Sequence, residues 1–265
     1  MSDITKIRDL AAQYLPQIYS ITKGKVSIWN KVQSKFEKKL DDIKVGEVFE
    51  NSIPILLGNA ELGDSISIRF LEFIDQTIHS VFKRLPKHLY TRFIKMIEAF
   101  IQAFDIKLIE HPNPTYLNLL AEFLAVLRLL ESNEYELIGF EKQIPNGKSI
   151  DFELKNKQTG SIALVDVVSI HVPNKKAVNK DLLRLTLDTK LDDKYNDKTK
   201  KLITKEGIYI LPIFWFEDSI KKDILEYLDE NNIQQRYIIE PSVLVQNKTT
   251  EKIEFIFSTI SSLYS

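Results

Sequence analysis

Residues 161–170 form the segment that most constrains how this chain can fold. After Ser161 the run is apolar at both odd and even positions, apart from Asp166 and Ser169. A strand that is apolar on both faces is typical of the centre of a sheet that is covered on both sides. A carboxylate in such a strand is costly unless it is paired, binds a metal or lies at a strand end facing a cleft. Asp166 is therefore the first candidate functional residue.

A second aspartate is predicted to lie directly opposite Asp166. Residues 149–156 are strand-like, and the turn-forming sequence Lys-Gln-Thr-Gly at 157–160 joins them to the next strand. If the two strands form a hairpin around this turn, Asp151 and Asp166 are each five residues from the turn and face each other about 5 Å apart. A slip of one residue would instead move Asp166 to the other face. Two carboxylates at that distance repel each other unless a cation lies between them, and hard divalent cations such as Mg²⁺ prefer these oxygen ligands.

Glu122 is the third acid of interest. It interrupts an otherwise apolar stretch in a helix predicted over residues 115–130. An unpaired buried glutamate is costly, so the position is explained if the side chain reaches the same cleft as the two aspartates. The alternative is a helix glutamate that points to solvent.

The order of elements indicates an α/β fold behind a helical front end. Residues 1–112 show apolar spacings of three and four, including one helix over residues 4–18, and no convincing strand. Two prolines between residues 110 and 115 mark a boundary. Residues 113–265 then give a helix, three strands, a charged helix near 180–204, an apolar strand near 207–216 and another helix, which predicts a sheet flanked by helices.

These elements resemble the PD-(D/E)xK, or restriction-endonuclease-like, nuclease superfamily. The helix glutamate, the sequence Ile-Asp-Phe-Glu at 150–153 and Val-Asp-Val-Val at 165–168 are similar to its three acidic elements in the right order. The resemblance implies a mixed central sheet and a nuclease that hydrolyses phosphodiester bonds, in DNA by our interpretation, with Mg²⁺ or Mn²⁺. It implies that Asp151 and Asp166 are the main metal ligands and Glu122 an accessory ligand. The helical region would recognise a partner, cap the cleft or form a homodimer.

The lysine of the family motif is missing, because its position is Val168. Lys194 or Lys198 on the following helix, or Lys155 on the neighbouring strand, is expected to take its place, and we assign the catalytic role to Lys194. His171 is a candidate replacement base, although a surface histidine is the commoner interpretation. The alternative function is a catalytically inactive nuclease fold that binds nucleic acid or a protein, and a purely structural α/β protein is a third.

Local charge favours a polyanionic partner. Residues 171–205 contain ten lysines and arginines against five aspartates, in a chain whose net charge is -1. Such a strip is suited to phosphates, although a solvated helix with internal ion pairs explains it equally well. The residues predicted to bind nucleic acid are Lys175, Lys176, Lys180, Lys198 and Lys201.

The remaining composition excludes several classes of site. The chain has no cysteine, which rules out disulfides, thiolate metal sites and cysteine nucleophiles. The first residues lack the apolar core of a signal peptide, and no apolar run is long enough to span a membrane. We therefore expect a cytoplasmic protein without a membrane partner.

Overall fold

The computed structural model divides the chain into two compact units, Met1–Phe123 and Leu124–Ser265. It describes residues 7–22, 26–41, 47–49, 52–104, 106–108, 115–172, 180–200, 207–230, 239–248 and 253–263. The boundary between the units falls inside one helix. In the described part of the chain, no helix has the length and apolar character needed to cross a membrane.

The N-terminal unit is helical. Its helices are α1 (Ile7–Tyr14), α2 (Pro16–Thr22), α3 (Val26–Asp41), α4 (Ile53–Glu61), α5 (Ser65–Arg84), α6 (Tyr90–Ile101) and the first part of α7 (Thr115–Ser132). Two short strands, β1 (Glu47–Phe49) and β2 (Ile106–Leu108), pair antiparallel. The core is rich in aromatic side chains; the Phe123 ring, for example, meets those of Phe93 and Phe100 edge-on at 5.4 Å.

Two expectations for this unit were wrong. The helix predicted over residues 4–18 is broken at Leu15, because Pro16 begins a new helix and disfavours helical backbone in the residue before it. The region also contains the strands β1 and β2, where none was expected. Each has only three residues, which is too short to show an alternating pattern.

The C-terminal unit is built on a mixed six-stranded sheet flanked by helices, as the sequence predicted. Its strands are β3 (Tyr135–Gln143), β4 (Ser149–Asn156), β5 (Ile162–His171), β6 (Ile208–Glu217), β7 (Ser242–Lys248) and β8 (Ile253–Thr259), in that spatial order. The neighbouring strands β5, β6 and β7 run parallel, and the other pairs are antiparallel. Parallel neighbours need a crossover, and α8 (Lys180–Thr199) and α9 (Lys221–Glu230) lie in the two connections.

One face of the sheet buries a stripe of α8. Leu183, Leu187 and Leu191 follow at four-residue steps and pack with Val168 and Ile170 of β5. Residues three and four apart lie on the same side of a helix, so the stripe continues to positions 194 and 198, where the sequence has lysines. The helix therefore presents leucines to the apolar part of β5 and lysines to the part that carries Asp166.

Candidate active site

The two aspartates face each other where strands β4 and β5 separate. The antiparallel pairing runs from Lys155–Ile162 to Phe152–Val165. One further step in this register places Asp151 opposite Asp166, so the register predicted from the turn at residues 157–160 is confirmed. Beyond that step the amide of Val167 donates to the Asp151 Oδ2 atom at 2.7 Å. A side-chain oxygen thus holds the two strands together where their backbone ladder ends.

Asp166 is fully buried and lies between two lysine ammonium groups. The Lys194 Nζ atom is 2.9 Å from one carboxylate oxygen, and the Lys198 Nζ atom is 2.9 Å from the other. Neither oxygen accepts a hydrogen bond of ordinary angular geometry from the described residues. The ammonium groups therefore act on Asp166 mainly as charges, which offset the cost of burying the carboxylate.

The end of α8 that carries these lysines is held by the loop between β3 and β4. The Asn146 side-chain amide donates to the backbone carbonyls of Lys198 and Lys200, at 2.8 and 3.1 Å. Lys148 forms an ion pair with Asp197. Carbonyls at a helix C-terminus lack partners within the helix, so these contacts both satisfy them and fix the position of the helix end.

Burial and charge together raise the pKa of Asp151. Removal from water is the larger cause and the neighbouring Asp166 carboxylate the next, and they raise the pKa from an ordinary 3.8 to about 6. The Val167 amide and the ammonium groups of Lys194 and Lys198 act in the opposite direction. The Asp166 carboxylate is thus close enough to Asp151 to oppose the ionisation of Asp151.

The donor set fits a hard divalent cation held by two carboxylates. Mg²⁺ prefers oxygen ligands and is commonly bound by one or two carboxylates together with substrate phosphates. The repulsion that raises the pKa of Asp151 is what a cation between the carboxyls would relieve. Over the described ranges no group of three or more His, Cys, Asp or Glu side chains could hold a metal, so the fit rests on Asp151 and Asp166.

The other predicted acid, Glu122, lies on α7 in the N-terminal unit. Its side chain is half-buried and takes part in an interaction. Its role as an accessory ligand of the two aspartates stays a prediction.

The predicted basic residues separate into three groups. Lys175, Lys176 and Lys201 lie outside the described residues, and so does the side chain of Lys180, although its backbone begins α8. Lys194 lies at Asp166, where it was expected, and its catalytic role stays a prediction. Lys198 was expected either to replace the motif lysine or to lie on the phosphate-binding surface; it is only 13% exposed and lies at Asp166, which agrees with the first expectation.

The alternative replacements for the motif lysine lie elsewhere. Lys155 is exposed and sits four residues along β4 from Asp151, about 13 Å away at the usual rise of a strand. His171 has the opposite parity to Asp166 on β5, so it faces the other side of the sheet. There its Nε2 atom is 2.9 Å from the Ser169 hydroxyl, and its ring centroid is 5.5 Å from that of Trp215. Burial is the main cause that lowers the pKa of His171 to about 4.

Sequence reasoning missed the contacts that organise the site. The Val167 amide, the Asn146 side chain and the Ser149 carbonyl, which accepts from Lys198 at 2.5 Å, were not identified. The approach of Lys198 to the site was one of the three alternatives predicted for the missing lysine, and the helical spacing of positions 183, 187, 191, 194 and 198 from an apolar stripe supports it.

Comparisons with known proteins give no family. No protein-family model matches the sequence, and no curated protein matches it. The solved structure of SfsA from Pyrococcus furiosus in complex with Ca²⁺ is similar at a TM-score of 0.24 and 12% sequence identity. The match covers 53% of this chain and 60% of that chain, less than two thirds of the neighbour's length. A TM-score this low carries no argument about this chain.

Proposed function

We propose that this chain is a divalent-metal-dependent nuclease of the PD-(D/E)xK type that hydrolyses phosphodiester bonds in DNA. One observation carries the proposal. The ammonium groups of two lysines contact the buried Asp166, and Asp166 faces a second aspartate, Asp151. Carboxylates for a metal and ammonium groups for a phosphate are the two kinds of group that phosphoryl chemistry needs within reach of one another.

In this proposal Asp151 and Asp166 hold Mg²⁺ or Mn²⁺. When bound, the ion supplies Lewis-acid activation of water and neutralises phosphate charge. Asp151 contributes in its ionised form, which the Val167 amide favours by donating a hydrogen bond to it. Glu122 is proposed as an accessory group by its resemblance to the family's helix glutamate.

Lysines on α8 take the place of the missing motif lysine. Val168 is buried against the leucine stripe and has no charge to offer a phosphate. A lysine on a neighbouring helix supplies the same ammonium group at the same carboxylate, and Lys194 is the more accessible of the two, at 35% side-chain exposure against 13% for Lys198. We assign to Lys194 the contact with the phosphate.

DNA is the proposed substrate because of the basic sequence around α8. Lys190 is exposed on this helix and Lys200 is exposed directly after it. We propose that Lys175, Lys176, Lys180 and Lys201 also bind DNA phosphates. Lysines that neutralise phosphates release counterions, so binding to such a surface would weaken steeply with salt.

A second candidate function is a nuclease fold that binds nucleic acid without cutting it. The specific observation in its favour is the charge balance of the site, where two carboxylates meet two ammonium groups. A site balanced in this way can be stable without a metal ion.

Incubation with plasmid and single-stranded DNA, with Mg²⁺ or Mn²⁺, separates the two candidates. The nuclease proposal expects cleavage by the wild type that chelation of the metal abolishes. Asp151→Ala should be inactive, while Asp193→Ala, which removes an exposed aspartate of α8, should cut normally. Cleavage that survives Asp151→Ala would reject the proposed site, and DNA binding without cleavage would favour the second candidate.

A further inference from the structure

Lys198 makes contacts to both strands at the point where they separate. Its ammonium nitrogen lies 2.9 Å from the Asp166 Oδ1 atom on β5 and donates to the Ser149 carbonyl, at the start of β4, at 2.5 Å. The side chain is 13% exposed. A lysine placed in this way connects one strand's side chain to the other strand's backbone.

The strands need such a connection because their backbone pairing has ended. Before Phe152, β4 pairs with β3 on its other side, through Gln143–Ser149 and Lys142–Ile150. From Asp166 onward, β5 stays paired with β6. The gap between β4 and β5 at the aspartates is bridged by the Val167 amide bonded to Asp151 and by Lys198.

We propose that Lys198 is a positioning residue that sets the separation of Asp151 and Asp166, whereas Lys194 contacts the substrate phosphate. This division of roles rests on the proposed nuclease function. Lys198 is the more buried of the two lysines. The Asn146 side chain donates to the backbone carbonyl of Lys198, so the backbone that carries this lysine is held at the helix end. Lys194 is 35% exposed and therefore accessible to a ligand from solvent while close to the same carboxylate.

The Val167 amide offers a direct measurement of this geometry, because its hydrogen bond to Asp151 spans the gap. Amide hydrogen exchange in the full chain, followed by NMR without metal, would compare Val167 with Val172. The Val172 amide bonds to the Trp215 carbonyl at 2.9 Å near the other end of β5 and reports on the strand as a whole. Local opening at Val167 alone separates a positioning effect from a general loss of stability.

Lys198→Met is expected to accelerate exchange at Val167 on the order of tenfold and to leave Val172 unchanged. Lys198→Arg should restore most of the protection, because a guanidinium keeps a positive charge beside Asp166 and can donate to the Ser149 carbonyl. Lys194→Met should change neither amide. The matched control is Lys222→Met, which removes a lysine that is 87% exposed and lies 3.8 Å from Glu226. Unchanged exchange at Val167 in Lys198→Met, or equal acceleration at Val167 and Val172, would overturn the positioning role.

Cleavage kinetics test the second half of the proposal. Lys198→Met should lower kcat and leave KM for DNA within about twofold, because Lys198 does not contact the DNA and its loss does not weaken substrate binding. Lys194→Met should lower kcat/KM and flatten the salt dependence of DNA binding, because a phosphate contact is lost. Equal kinetic changes in the two variants would overturn the division of roles. If the wild type does not cleave DNA, the nuclease proposal fails, while the exchange data still decide whether Lys198 holds the gap.

Discussion

Two buried aspartates, one in each unit, are stabilised in different ways. In the N-terminal unit, Asp75 of α5 accepts hydrogen bonds from the backbone amides of Gln17 and Ile18, at distances of 2.9 to 3.1 Å, and so caps the start of α2. In the C-terminal unit, Asp166 meets the side-chain ammonium groups of Lys194 and Lys198. Both carboxylates are almost inaccessible, with 5% and 0% relative exposure.

The different partners of Asp75 and Asp166 indicate that the first carboxylate is structural and the second is a candidate for function. Backbone amides at a helix N-terminus cannot move away from Asp75 unless the helix unwinds, so the hydrogen bonds of Asp75 stabilise the fold and are not available to a ligand. Burial raises the pKa of Asp75, and the amides oppose that rise. The side chain of Lys194, which is 35% exposed, can rotate away and bind another anion, so one partner of Asp166 can exchange with a ligand. A buried carboxylate with exchangeable partners is the better candidate for a functional site.

The largest expected effect is on cleavage and comes from Asp166. Asp166→Asn should lower the cleavage rate on the order of a thousandfold, because a metal ligand contributes several kcal/mol to stabilisation of the transition state. Asp75→Asn, measured below its unfolding midpoint, should cut at the wild-type rate. Comparable cleavage rates for Asp166→Asn and the wild type would show that Asp166 is not a functional residue.

The next effect is on stability and comes from Asp75. Asp75→Ala should reduce the free energy of unfolding of the N-terminal unit by about 2–3 kcal/mol, because a buried charge-assisted helix cap is lost. The probe is Trp29, whose indole donates to Thr22 at the end of α2 at 3.1 Å. Urea unfolding in a Trp215→Phe background isolates its fluorescence. A change in the free energy of unfolding well below 1 kcal/mol would show that Asp75 contributes little to stability.

The third effect depends on pH and concerns Asp151. Its pKa in the folded chain, about 6, lies above the usual value, so the folded state holds the proton more tightly than the unfolded state. Wild-type stability should therefore decrease as pH rises from about 4 to about 6, and Asp151→Asn should lose this decrease. Over the same interval Mn²⁺ binding should strengthen, because the cation competes with the proton for the Asp151 carboxylate. Parallel stability curves for wild type and variant would contradict the shift.

The smallest expected effect is on stability and comes from Asp64, an exposed helix cap that can be compared with the buried cap Asp75. Asp64 also caps a helix, since its side chain accepts from the Ser67 amide at 3.0 Å at the start of α5, but it is exposed. Asp64→Ala should cost about 1 kcal/mol, less than Asp75→Ala. The same urea titration measures both. An equal or larger cost for Asp64 would show that burial does not distinguish these two caps.

The sequence was informative where local patterns determine structure. The turn at residues 157–160 and the parity of the flanking strands predicted the register that places Asp151 opposite Asp166, and the pairing confirms it. The apolar character of residues 161–170 predicted a central strand, and β5 lies between β4 and β6. In both cases the residues of one short segment are enough to predict its structure.

The sequence was less informative where distant residues meet. Asp75 is 57 residues from Ile18, and no periodicity connects an α5 aspartate to the amides of α2. Helical spacing from the leucine stripe indicates that Lys198 points inward, but its contact with Asp166 depends on the packing of α8 against β5. The strand β7 was not predicted as a separate element, and its pairing with β6 depends on the whole sheet.

Titration of the full chain with Mn²⁺ by calorimetry tests the central claim that the two facing aspartates bind a divalent cation. If these aspartates hold the cation, the wild type should bind Mn²⁺, and both Asp151→Ala and Asp166→Ala should abolish the binding, while Asp193→Ala should not. Absence of binding by the wild type, or unchanged binding in Asp166→Ala, would contradict this claim.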